Sequence, residues 1–154
     1  MRIGNLMIVS LLSLSFIQAK GVKKEFGGEE AHATAKGIME AHVDWLKDKG
    51  SKFDFGLTLT NLTESGVIVY LHDISCKKGA TAGEAKHTFF NTGERTIDFK
   101  AGQSKKFKLV CKLHTKIDSN KFSVGLRRIS SNPSNDGKTV GKLLYKNLNI
   151  PITL

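Results

Sequence analysis

The stretch 95–113, RTIDFKAGQSKKFKLVCKL, constrains this chain more than any other. Ile97 and Phe99 alternate with Thr96, Asp98 and Lys100. Phe107, Leu109, Cys111 and Leu113 then alternate with Lys106, Lys108, Val110 and Lys112. A period of two sends successive side chains to opposite faces of a pleated strand. The spacing predicts two strands, with Phe107, Leu109, Cys111 and Leu113 against a core and the lysines in solvent. Residues 101–104 supply the turn, and Gly102 is free to take a positive φ there. A strand with one polar face belongs to an antiparallel sheet. The alternation leaves open whether the two strands form a hairpin or cross between sheets.

The same period governs most of what surrounds this stretch. Phe53, Phe55, Leu57 and Leu59 alternate with Asp54, Gly56, Thr58 and Thr60, and Phe122, Val124 and Leu126 with Ser123, Gly125 and Arg127. Residues 67–74 are apolar on both faces and predict a central strand. Residues 77–85 read as a loop, 86–91 as a short strand, and 140–145 and 148–154 as one or two final strands. Pro151 suggests an edge or a bulge in the last of these. Loops are expected at 61–66, at 92–94 and at 130–138 (SSNPSNDGK). Seven or eight short strands punctuated by turns predict a mainly β fold, an antiparallel β-sandwich. One segment departs from the pattern. Between residues 29 and 49, Ala31, Ala35, Ile38, Met39, His42, Trp45 and Leu46 fall on one stripe at helical spacing, which predicts a single N-terminal amphipathic helix over 29–49. The short strands and two cysteines are similar to immunoglobulin-like sandwiches in a loose sense. The chain lacks a tryptophan between the cysteines, and Leu109 stands where a tyrosine would precede the second.

Residues 1–19 have the order of a secretory signal peptide: Arg2, an apolar run over 6–17, then Gln18-Ala19 before a lysine-rich segment. The run is shorter than the roughly 20 residues of a membrane span, and no later segment could cross a bilayer. Residues 20–28 read as a flexible leader and 29–154 as one domain, long enough for a sizeable core. An exported chain with two cysteines predicts one disulfide, Cys76–Cys111, and a periplasmic or extracellular location. Asn61-Leu62-Thr63 has the form of a glycosylation acceptor.

The chemistry-bearing residues are few. His72, Cys76, Cys111 and His114 have the donor types of a zinc or copper site, which makes a metal-binding sandwich one alternative. Four residues of extended chain span about 13 Å, however, so His72 and Cys76 share an ion only across a sharp turn. No Gly-x-Ser-x-Gly, His-Glu-x-x-His or phosphate loop occurs. No catalytic residue and no cofactor is therefore expected, and a hydrolase with an unrecognised site is the other alternative. The net charge of +10 is the remaining signal. Lys106, Lys108 and Lys112 share one strand face, and Arg127 and Arg128 could extend it. That field suits an acidic polysaccharide, a lipid headgroup or a protein partner. Nucleic acid is disfavoured, because the aromatics sit at core phase and form no stacking platform. Lysines on strands also protect sheet edges from aggregation. The expectation is an exported, non-catalytic binding or structural interaction module.

Overall fold

A computed structural model describes residues 21–87, 96–132 and 141–154. The signal segment, the 92–94 turn and most of the 130–138 loop lie outside the described residues. Among the described residues eleven strands form one antiparallel sheet, and a single 3₁₀ turn, Leu71–Asp73, interrupts it. The strands are β1 (Lys23–Glu25), β2 (His32–Ala35), β3 (Met39–Asp48), β4 (Lys52–Asn61), β5 (Val67–Tyr70), β6 (Ile74–Lys78), β7 (Thr81–His87), β8 (Thr96–Phe99), β9 (Ser104–Lys112), β10 (Lys121–Ser131) and β11 (Leu143–Thr153). They are ordered β1-β3-β4-β9-β7-β6-β10-β5-β8, with β2 also on β3 and β11 also on β10.

The expected helix over 29–49 is replaced by a hairpin. Lys36 and Gly37 both take positive φ, 27° and 74°, and Ile38 N–H donates to the Ala35 carbonyl at 2.7 Å. That is the two-residue turn which joins antiparallel strands best. Met39, Ala41 and Val43 then alternate inward as a strand requires. A bulge between Val43 and Trp45 adds one residue, and the next inward side chain is Leu46. The turn and the bulge together space the apolar residues three and four apart, which mimics a helical stripe. The leader is likewise structured in part: Lys23–Glu25 pair with Trp45–Lys47.

Two further expectations change. The strand over 67–74 is broken by the 3₁₀ turn into β5 and β6, and both pair with the same long strand β10. Residues 81–85 are strand instead of loop, continuous with 86 and 87 of the expected short strand, whose remainder lies outside the described residues. Of the one or two final strands expected, the described residues form one, with Asn147 at φ 59° inside it. In the central stretch the faces fall as expected, with Phe107, Leu109, Cys111 and Leu113 buried. β8 pairs with β5, whereas β9 pairs with β4 and β7. The 100–103 turn, with Gly102 at φ 67°, is thus a crossing and not a hairpin.

The sheet is bent at β7. Cys76 on β6 is opposite Gly83, and Cys111 on β9 is opposite Ala85, so the two cysteines flank β7 from either side. Two strand spacings in a flat sheet are about 9.5 Å, yet the Cα atoms of the Cys76–Cys111 disulfide are 6.1 Å apart. The bridge therefore arches over β7 on its concave side. Across the fold, Phe53 of β4 meets Phe122 of β10 edge-on at 5.1 Å between ring centroids. The core runs between the two halves: Phe53, Phe55, Leu57 and Leu59 from one, Val124, Leu126, Ile129 and Ile150 from the other.

Asn61 closes one end of this core and is fully buried. Its Nδ2 donates to the carbonyls of Ser65 at 2.7 Å and Lys100 at 3.0 Å, and its Oδ1 accepts from Thr63 N–H and Thr63 Oγ1. The amide that a glycan would occupy is thus committed to holding the 61–65 turn against the crossing. Asn61→Ala strands these groups and should cost about 2–3 kcal/mol, read as a lower denaturant midpoint at unchanged slope.

Candidate functional site

The candidate site is built on the convex face of β4 and β9. On β9, Lys106, Lys108 and Lys112 are exposed while the intervening side chains are buried or partly buried. Alternate residues lie about 7 Å apart along a strand. Register sets Lys106 opposite Thr58, Lys108 opposite Gly56 and Lys112 opposite Lys52. On the other flank, Lys112 is opposite Glu84 of β7. β9 is paired with β4 along its whole length and with β7 over Leu109–Lys112. Edge protection therefore does not account for Lys112.

The next strand outward supplies the second wall. Trp45 is opposite Gly56, and its indole lies over that glycine so closely that a Cβ there would collide with Nε1 and Cδ1. Gly56 is thus the floor on which the indole rests. Lys23 Nζ lies 5.1 Å from the centroid of the same ring and donates to Glu25 at 2.8 Å. That bond, with the lysine charge, holds the Glu25 carboxyl below the usual range. The bulge turns Asp44 outward beside Trp45. Asp44 accepts from Thr58 Oγ1 at 2.7 Å, and its other oxygen lies 3.0 Å from His42 Nδ1. His42 Nε2 lies 2.9 Å from the Gly27 carbonyl, so the ring ties the 26–31 connection to β3. Between the two walls runs an open groove of about 550 Å³, lined by Phe26, Asp44, Trp45, Gly56, Lys106 and Lys108.

The sequence readings divide. Lys106 and Lys108 share the groove, and Lys112 lies further along the same face. Arg127 and Arg128 are on β10, beyond the bend and two strands past β7, and do not join them. Arg128 is held by Asp73, with Nε at 2.8 Å and Nη2 at 3.4 Å, and lies over the Tyr70 ring. Its hydrogen bond to Asp73 and that carboxylate's charge raise its pKa further. It staples the 3₁₀ turn to β10. The four-donor metal set is not assembled: Cys76 and Cys111 are bonded to each other, His72 lies against Arg128, and His114 sits at φ 62° in the turn after β9. Among the described residues, no three His, Cys, Asp or Glu side chains gather as a metal-binding group. In the Thr58–Asp44–His42 chain the carboxylate stands between hydroxyl and imidazole. The hydroxyl does not touch the ring that would have to activate it as a nucleophile.

Trp45, Gly56 and Asp44 escaped the sequence reading. The available signal was Gly56, an isolated glycine in a strand, which often marks close approach of another group.

No family model matches the chain, and no curated protein does. Among solved structures the chain is similar to a candidate lipoprotein, ycdA, from Bacillus subtilis, with a TM-score of 0.52 and 12% identity over 80% of this chain. The match spans 38% of the ycdA chain. It is also similar to a functionally unknown protein from Listeria monocytogenes EGD-e, with a TM-score of 0.49 and 9% identity over 88% of this chain and 83% of that one. A third likeness is to the yjhA protein of Bacillus subtilis, with a TM-score of 0.47 and 10% identity over 68% of this chain and 81% of that one. At these identities the likeness to ycdA concerns the fold alone.

Proposed function

We propose that this chain is an exported, non-catalytic binding module whose β9 face engages an anionic envelope component. The observation that carries the reading is the row Lys106, Lys108 and Lys112, all exposed on one face of β9. Export is supported by the Cys76–Cys111 bridge, which suits an oxidising compartment, by the signal-like segment 1–19, and by the fold likeness to a candidate lipoprotein. The compartment in this reading is periplasmic or extracellular. The bent sheet, with two halves facing across Phe53 and Phe122, is read as a sandwich, immunoglobulin-like only in a loose sense.

The test is sedimentation with phosphatidylglycerol vesicles and with a polyuronate gel, each against a neutral counterpart. The triple variant Lys106→Gln/Lys108→Gln/Lys112→Gln should bind at least about tenfold more weakly at low salt, the loss of about 1.4 kcal/mol of attraction. The difference should vanish near 1 M salt, where the Debye length is about 3 Å. Equal binding by variant and parent at low salt would overturn the reading.

A further inference from the structure

We infer that the groove between the β3 bulge and β9 binds a sugar-acid residue of an acidic polysaccharide, its carboxylate on Lys106 and Lys108 and its ring beside Trp45. This rests on the anion-binding reading of the β9 face and names the ligand that face takes.

The groove has two unlike walls. Lys106 and Lys108 bring positive charge from β9, while Asp44, Glu25 and the rims of Trp45 and Phe26 line the opposite side. An isolated phosphate or a polyphosphate would meet the lysines and also the two carboxylates. Like charges brought together this way are unfavourable. A sugar acid answers both walls. Its carboxylate accepts charge-assisted bonds from the ammonium groups. Its hydroxyls are donors, which the oxygens of Asp44 and Glu25 accept. Its C–H groups can pack against the sides of Trp45 and Phe26 that line the groove. The volume of about 550 Å³ falls within the roughly 300–1,000 Å³ of ligand clefts. The groove is also open to solvent, as binding to one residue of a polymer requires. The floor is Gly56, where any side chain would displace the indole. The Asp44 wall is pinned by Thr58 and His42, so its geometry is set before a ligand arrives.

Trp45 is the only tryptophan of the chain, so its fluorescence reports on this groove alone. The purified protein is titrated with oligogalacturonate at low salt, and with a neutral malto-oligosaccharide of equal length. The expected result is a saturable change in emission with the acid and none with the neutral sugar. Lys106→Gln/Lys108→Gln should weaken that titration by about tenfold, and Lys112→Gln should leave it within about twofold. An emission change insensitive to the double substitution would overturn the inference. So would silent fluorescence in a protein that still sediments with anionic vesicles, and that outcome would leave the broader anion-binding reading standing. Loss of binding to every anionic probe would overturn both.

Discussion

Gly83→Ala should lower the stability of this protein by about 3 kcal/mol or more, a larger effect than any surface substitution would have. A Cβ at this position would lie well inside contact distance of Cys111 Sγ and 2.8 Å from the Lys112 carbonyl oxygen. The first of these is the bridge that passes over β7, and the second is backbone, which has no rotamer to yield. Overpacking of this kind costs about 1–3 kcal/mol. A bridge closing a separation of 35 residues adds about 3–4 kcal/mol on the chain-entropy model, and strain on it puts part of that at risk. For a chain of this length, about 3 kcal/mol corresponds to a melting temperature lower by about 6–12 °C. The control is a cycle with Cys76→Ala/Cys111→Ala. Removing the sulfur relieves most of the clash, so the combined cost should fall short of the sum of the separate costs. Strict additivity would show that Gly83 and the bridge do not share the space.

The second large effect concerns Lys78, whose side chain is 2% exposed. Its ammonium donates to both oxygens of Asp48 at 2.8 Å, and it lies 5.4 Å from the centroid of the Phe122 ring. The pair joins β6 to the end of β3 and so ties the two halves of the bent sheet. Asp48→Ala leaves the ammonium buried without its counter-charge, and should cost about 3–5 kcal/mol. Lys78→Met behaves differently. It keeps the stem's volume and strands only a carboxylate that still reaches water, so it should cost about 1 kcal/mol or less. Denaturant titrations of both variants measure this asymmetry. Equal losses would mean that the pair is held by packing and not by charge.

How far the sequence carried these conclusions depends on the strand. Where the strand is unbroken, as in Phe53–Thr60 and Phe107–Leu113, alternation named the inward apolar side chains correctly. It failed where the backbone departs from regularity. In Met39–Asp48 the extra residue at Asp44 shifts the phase, and Gly37, inside the segment read as a helix, lies in the turn of a hairpin. At 71–73 the 3₁₀ turn falls on the polar pair His72-Asp73, which the apolar residues on either side outweighed in the reading of one continuous strand. The candidate site shows the same division. Lys106, Lys108 and Lys112 were legible because they share a strand. Trp45 and Asp44 were not, because they reach the groove through the bulge that disguised their strand. The grouping with Arg127 and Arg128 required knowing that two strands and a bend intervene.

One further consequence follows from how the sheet ends. β1 begins two residues after Gly21, the first described position, and Lys24 Nζ lies 3.3 Å from the Thr153 carbonyl at the far end of β11. The strands β1 and β11 therefore lie within reach of one lysine side chain. Neighbouring termini of this kind are what let a domain be spliced into a loop of another protein or have its ends relocated.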